Sequence, residues 1–172
     1  MKTVKKLIVL TALLTFAVAC ENTQSGDSAA ANGNSVMNKM IFGKTAMKNW
    51  FGMNVDQLRT QVKGTKDVYA INASGKTLSG LEKNEEWFGE TVKTVYHLDG
   101  EDKTLSSIEL YYPEGNYNAI ISDMTEELGA PVSNKVLQKN MPSVQKAEFA
   151  ANGLHFTATD FSGYVSVIIT PE

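Results

Sequence analysis

The chain has 172 residues, of which 42% are hydrophobic, and it carries 16 Lys and Arg residues against 19 Asp and Glu residues. This length suits about one domain, and the composition is too apolar for a wholly disordered protein and too polar for a protein with several membrane spans. A formal charge of -3 argues against nucleic-acid binding, which normally needs a basic surface, and the single cysteine excludes an internal disulfide and a Cys-rich metal site.

The first twenty residues have the composition of an export signal. Three lysines among the first six residues precede an apolar run over 7–16, and small residues at 17–19 lead directly to Cys20. This segment is too short for a membrane span, and it resembles a bacterial lipoprotein signal with its lipobox. The resemblance implies cleavage after Ala19, acylation of Cys20 (with palmitate or a similar chain) and contact with the membrane through this N-terminal lipid. An ordinary signal peptide, cut near Ala19 and leaving a free thiol, is the alternative.

A polar segment follows the cysteine. Residues 21–35 include no aliphatic or aromatic residue larger than alanine, so they cannot bury enough apolar area to offset the entropy lost on ordering. We therefore predict a signal peptide over 1–19, a flexible tether over 20–35 and a single folded domain over 36–172. The expected location is the bacterial cell envelope, at the outer membrane in preference to the inner one.

Three helices are predicted along the domain. A short lead-in helix is expected over 36–43, where apolar residues fall on one helical face. The next helix begins at Asn54, which has the spacing of a capping box with Gln57. The third helix, over Tyr117–Leu128, has apolar residues at helical spacing and is stopped by Gly129.

Strand-type sequence follows each of the two longer helices. Turns are expected at Asp99-Gly100 and Asn152-Gly153, because both positions of a tight hairpin turn need positive φ. Since the order of helix and strands occurs twice, we predict a two-layer α+β fold: a tandem helix-plus-antiparallel-meander repeat, with half-repeats at about 52–114 and 115–172 and one open sheet face. A coincidental α+β order without duplication is the alternative. The predicted strands are Val68–Asn72, Thr91–Leu98, Thr104–Tyr112, Asn134–Gln138, Gln145–Ala151, Leu154–Asp160 and Tyr164–Thr170.

Two short stretches resemble a known family. They are Gly52-Met53-Asn54-x-x-Gln57-Leu58-x-x-x-Val62 and Met124-x-x-x-Leu128-Gly129-x-Pro131. Each looks like one part of the helix of the small barrel-assembly lipoproteins (SmpA/OmlA family), and the tandem β-lactamase inhibitor proteins use a similar unit of helix and meander. The resemblance implies a fold of that kind and a non-enzymatic role exerted through protein–protein contact.

No motif predicts catalysis or metal binding. The Gly-Lys-Thr tripeptides at 43–45 and 75–77 lack the glycine that a phosphate-binding loop has five residues earlier. His97 and His155 are the only histidines and lack the spacing of metal ligands, so we interpret them as structural or surface residues. The acidic loop at 99–102 lacks the spacing of a calcium loop. We therefore predict no catalytic residue, no metal and no cofactor.

Aromatic side chains are better candidates for a binding surface. Strand alternation places Tyr111 on the face opposite the predicted core, and it leaves either Tyr96 or His97 facing outward. Trp87 and Phe88 lie in a Gly- and Glu-rich segment that we interpret as a loop. His155 lies between Leu154 and Phe156 in a predicted strand, so its side chain is expected to face away from the core. Such side chains are common in binding hot spots, although the rings can instead pack against the lead-in segment. The candidate protein-binding residues are Trp87, Phe88, Tyr96, Tyr111 and His155.

These features predict a non-enzymatic, lipid-anchored envelope protein that binds another envelope protein through the open sheet face or the aromatic loop. Two alternatives stay open. One is an accessory scaffold in outer-membrane assembly, in which anchoring is itself the function. The other is a small envelope hydrolase that uses His97 or His155. No nucleic-acid partner is expected.

Overall fold

The computed structural model describes residues 46–73, 75–136, 144–161 and 163–172. The predicted signal peptide, Cys20 with its lipid, the tether and the lead-in helix lie outside these residues. The described chain has a 3-10 helix at Met47–Trp50, helix α1 at Val55–Gln61 and helix α2 at Tyr117–Leu128. Its strands are β1 (Lys66–Asn72), β2 (Gly75–Trp87), β3 (Glu90–Asp99), β4 (Thr104–Pro113), β5 (Ser133–Val136), β6 (Gln145–Ala151), β7 (Leu154–Asp160) and β8 (Tyr164–Pro171).

These strands form one antiparallel sheet in the order β1-β2-β3-β4-β8-β7-β6-β5. Strands close in sequence therefore pair with each other on both sides of the sheet, and β4 pairs with β8 at the centre. That central pairing runs from Ile108 opposite Ile169 to Pro113 opposite Tyr164. The sheet is consequently continuous from β1 to β5.

The predicted tandem helix-plus-meander repeat of the α+β class is wrong. More than half of the described residues lie in strands, all eight strands belong to one sheet, and the described chain has only two α-helices. The prediction missed β2, the longest strand, because this segment is rich in Gly, Glu, Lys and Asn, which strands disfavour. Pairing with β1 on one side and β3 on the other holds this segment extended despite its composition.

Several local predictions are confirmed. The side chain of Asn54 accepts a hydrogen bond from the Gln57 amide at 3.0 Å, and the Asn54 amide donates to Gln57 Oε1 at 3.1 Å, which completes the capping box. Helix α2 has the predicted bounds and ends at Gly129, whose φ of +89° suits glycine. Strands β6 and β7 also have the predicted bounds.

The turns agree with the sequence only in part. Asn152 and Gly153 join β6 to β7 with φ values of +53° and +75°, which confirms this predicted turn. The turn predicted at Asp99-Gly100 is present with Gly100 at a φ of +72°, but it is formed by residues 100–103, and Asp99 belongs to β3, where it pairs with Thr104. The segment interpreted as an aromatic loop is instead the end of β2 and a two-residue turn, in which Phe88 and Gly89 have φ values of +47° and +78°.

The two faces of the sheet differ in burial. One face carries alternating apolar side chains that pack with the 3-10 helix, α1 and α2 into a single core. Burial of apolar surface stabilises such a core by roughly 25 cal/mol per Å². The opposite face, called here the open face, carries mainly polar and aromatic side chains together with Val95 and Ile168, and the side chains on it are exposed or half-buried in the described structure, with the exception of Ser166. Buried sheet residues that define the core side include Leu81, Tyr96, Ile108, Leu110, Phe149, Phe156, Val167 and Ile169.

Candidate functional site

Three aromatic rings lie side by side on the open face, and we call them the aromatic ridge: Tyr111, Phe161 and Tyr164. The ring centroids of Tyr111 and Tyr164 are 5.0 Å apart, and those of Phe161 and Tyr164 are 5.0 Å apart with the planes 19° from parallel. The ammonium group of Lys93 lies 5.1 Å from the centre of the Tyr111 ring. Ring pairs at this spacing attract each other, and a cation over a ring adds to that attraction.

The central strands and one turn position the ridge. Tyr111 lies in β4 directly opposite Lys93 of β3, so the cation and the ring are cross-strand neighbours. Tyr164 begins β8, and the backbone amide of Phe161 donates to the Tyr164 carbonyl at 3.0 Å. This bond closes the turn between β7 and β8 and brings the Phe161 ring beside Tyr164.

A chain of polar side chains crosses the open face next to the ridge. Glu109 accepts a hydrogen bond from Ser166 Oγ at 2.8 Å through Oε1, and its Oε2 lies 3.0 Å from Nε2 of His97. Glu109 is half-buried, whereas Ser166 is fully buried between its neighbours. We call these three residues the Ser-Glu-His chain. Beside it, Ile168 pairs with Glu109 across β4 and β8 and is 41% exposed.

The order of groups in this chain does not suit a serine nucleophile. A nucleophilic serine needs an imidazole beside its hydroxyl to take the proton, with a carboxylate on the far side of the imidazole. Here the carboxylate of Glu109 lies between the hydroxyl and the imidazole. The arrangement links a buried serine to two half-buried side chains by hydrogen bonds, so it orders the face around the ridge.

The β6 and β7 side of the open face carries an ion pair. Lys146 Nζ lies 2.5 Å from a carboxylate oxygen of Glu148. This hydrogen bond, together with the charges of Lys146 and His155, holds the pKa of the Glu148 carboxyl below its ordinary value. His155 lies on this face, as the sequence predicted, and is half-buried.

The sequence-predicted binding residues do not gather in one place. Trp87, Phe88 and Tyr96 are 1%, 3% and 0% exposed, so their rings belong to the core and present no surface to a partner. Burial raises the pKa of Tyr96 far above its ordinary value, and its hydroxyl donates to Glu85 at 2.6 Å. Tyr111 and His155 do lie on the open face, on opposite sides of β8. Cys20 is outside the described residues.

The ridge and the Ser-Glu-His chain include residues that sequence reasoning missed. Tyr164 and Ser166 alternate with Val165 and Val167, which are buried, so the period of two in β8 would have placed them outward. His97 was one of two alternatives in β3, and the pairing of Tyr96 with Ile108 settles the choice. The position of Phe161 has no such signal, because it depends on the turn.

Neither a metal site nor a membrane-spanning helix is found in the described parts of the chain. No group of three or more His, Cys, Asp or Glu side chains there is placed to hold a metal ion. No helix among these residues is long and apolar enough to cross a membrane.

Comparison with known proteins gives no match for this chain among protein-family models, curated proteins or solved structures.

Proposed function

We propose that this protein is a non-enzymatic, lipid-anchored protein of the bacterial cell envelope that binds another envelope protein through its open face. The observation that carries the proposal is the aromatic ridge. The Phe161 and Tyr164 rings are stacked on the open face and the Tyr111 ring lies against Tyr164 at a tilt of 37°, and Phe161 is 46% exposed although it is large and apolar. Aromatic residues held rigidly at a surface lose little entropy on binding and are frequent in hot spots.

The surroundings of the ridge favour a protein partner. Exposed Ile168 extends the apolar surface along β8, and the Ser-Glu-His chain and Lys93 supply charged and polar groups around it. An apolar centre with a polar rim is the usual anatomy of a protein interface. We therefore expect the partner to bring an apolar side chain to the ridge and a carboxylate to Lys93.

The anchor rests on the sequence, since Cys20 is outside the described residues. Acylation of this residue would hold the domain at a membrane surface, and the polar segment 21–35 would leave the domain free to meet a partner there. Mass spectrometry of the N-terminal peptide from the membrane fraction tests this part. An acylated Cys20 is expected, and an unmodified thiol at that residue would contradict it.

Photocrosslinking in living cells tests the interface. A photoreactive phenylalanine analogue is introduced into the full chain at Phe161 or Ile168, both exposed on the open face, and at Ser122 as the control on the exposed side of α2. We expect a covalent adduct of one defined mass from both open-face positions and none of that mass from Ser122.

A second variant ties the adduct to the ridge. Tyr164→Ala removes the ring that both other ridge residues contact, and we expect it to reduce the adduct from Ile168 at least about fivefold, which is the loss of a modest hot spot. Equal adducts from Ser122 and the open face, or an adduct insensitive to Tyr164→Ala, would contradict the proposed interface.

A further inference from the structure

A concave surface lies at the edge of the sheet where β1 begins and extends to Lys93, which borders the aromatic ridge. It has a volume of about 480 Å³, and we call it the lysine notch. This volume lies within the range of roughly 300–1,000 Å³ that is usual for small-molecule sites. The notch is lined by Lys63, Gly64, Lys66, Glu82, Lys83, Asn84 and Lys93.

The notch is strongly basic, although the chain as a whole has a formal charge of -3. Four lysines from three stretches of the chain line it, against the single carboxylate of Glu82, and the ammonium group of Lys93 lies over the Tyr111 ring. Lys83 is already paired with Glu85 at 2.7 Å. Lys63 and Lys66 are exposed and make no ion pair with any residue that the structure describes. Like charges brought together in a concavity raise the local potential for an anion.

The backbone adds a donor to this cluster. Trp87 and Glu90 flank the two-residue turn at the end of β2, so their backbone groups bond each other. In an antiparallel pair of strands, residues whose backbone groups bond the partner strand alternate with residues whose backbone groups point away from it. Counting back from Trp87, the backbone amide of Asn84 points away from β3, toward the outer edge of β2. Strand β1 begins at Lys66, opposite Glu82, and therefore does not cover Asn84. The amide consequently points to the side of the strand on which the notch lies.

We propose that the lysine notch binds a phosphate group, either as a free phosphate or on a lipid headgroup. A phosphate carries up to two negative charges near neutral pH and accepts several hydrogen bonds, which matches a concavity lined by lysines, with Lys63 and Lys66 not in an ion pair with any described residue, and a backbone amide at its edge. Lys93 lines the notch and also lies over the Tyr111 ring, so the notch adjoins the open-face interface. The test therefore changes only Lys63 and Lys66, which belong to neither the aromatic ridge nor the Ser-Glu-His chain.

Nuclear magnetic resonance of the full chain in a non-ionic detergent tests this site. The backbone amides of Gly64 and Asn84 report binding during titration with inorganic phosphate or dihexanoyl-phosphatidylglycerol. Chloride at equal ionic strength and dihexanoyl-phosphatidylcholine are the controls. We expect a saturable shift, and a Kd raised at least about tenfold in K63Q/K66Q. The matched variant K48Q/K135Q removes the same charge from exposed lysines outside the notch and is expected to keep the Kd within about twofold.

The outcomes separate the two sources of phosphate. Saturation by inorganic phosphate supports a free phosphate, and saturation by the anionic lipid alone supports a headgroup. Absence of a saturable shift with either ligand would overturn the site, as would an equal loss of binding in both double variants. A shift produced only by a poly-glutamate peptide would also overturn it, because the notch would then recognise an acidic protein segment. Unchanged amide shifts far from the notch in K63Q/K66Q verify its fold.

Discussion

Single positions decide whether an aromatic ring of this protein is buried or available to a partner. Tyr96 and His97 are adjacent in β3, yet Tyr96 is in the core and His97 is on the open face. In the same way Tyr111 is on the open face, whereas Tyr112 is buried. Because a strand alternates its side chains, a shift of one residue in register would exchange these roles.

Trp87 and Phe161 give a direct test of this division. Trp87→Ala removes a fully buried ring and is expected to lower the free energy of unfolding by about 3–5 kcal/mol. Phe161→Ala removes an exposed ring, so a change within about 1 kcal/mol is expected. Urea unfolding followed by circular dichroism measures both. Similar losses for the two variants would contradict the assignment of Trp87 to the core and Phe161 to the surface.

Glu148 provides a test that depends on pH. Its lowered folded-state pKa means that its pairing with Lys146 stabilises the fold above the ordinary pKa of glutamate, and this contribution is lost as the pH falls through the lowered value. We expect Lys146→Met to raise the pKa of the Glu148 carboxyl, measured from its ¹³C shift during a pH titration. Lys135→Met, which removes a charge in the neighbouring strand, is the control and should raise it less. Equal pKa values in the Lys146 variant and the wild type would contradict the pairing.

The sequence predicted only some of the side chains that lie on the open face. Regular alternation was enough to place Tyr111 and His155 outward. It failed for Trp87 and Phe88, because the Gly- and Glu-rich composition around them is typical of a loop and hid a strand end. It did not identify Phe161 because a turn, which has no period, sets the direction of that ring.

At the scale of elements, β2 shows how pairing overrides composition. Gly80 lies in β2 opposite His97 of β3, and a Cβ atom built there would be 2.7 Å from the backbone carbonyl oxygen of Tyr96. Real Cβ atoms do not approach a carbonyl so closely, so this glycine is needed for the two strands to pair at their observed separation.

Gly80→Ala is therefore expected to push β2 and β3 apart and to lower the free energy of unfolding by about 1–3 kcal/mol. Asn84→Ala is the control in the same strand: its side chain is exposed, and a change within about 0.5 kcal/mol is expected. Urea unfolding of both variants measures the difference. If Gly80→Ala had the same free energy of unfolding as the wild type, the backbone would adjust to the added methyl group without loss of stability, and the prediction would be wrong.

Elements with a strong local signal were predictable, and those held by their neighbours were not. Helix α2 was found with its bounds because its apolar spacing and terminal glycine act within a few residues. Strands β6 and β7 were found because an Asn-Gly turn joins them. Strand β2 has no comparable signal, since β1 and β3 supply its stability. The predicted fold class is wrong because strands make up more than half of the described residues and form one sheet.

At the scale of the whole molecule, the pairing of β4 with β8 is the structural link between β1–β4 and β5–β8. Both strands contribute buried side chains at this junction, including Ile108, Leu110 and Val167. Core residues on the two sides of the junction belong to one cluster. Loss of either set of strands would therefore expose apolar surface of the other to water.

This continuity predicts that the described part of the chain unfolds in one cooperative transition. Fluorescence of Trp50 and Trp87, the chain's two tryptophans, reports on the β1–β4 side, and the ring protons of His155 report on β7. We expect the two probes to give the same midpoint in urea, and Val167→Ala to lower both midpoints equally because it removes packing at the junction. Leu58→Ala, a buried residue of α1, is the comparison from the β1–β4 side and should also lower both. Two separate midpoints, or a response of only one probe to either variant, would mean that the hydrogen-bonded sheet is divided at β4 and β8 into two parts that unfold separately.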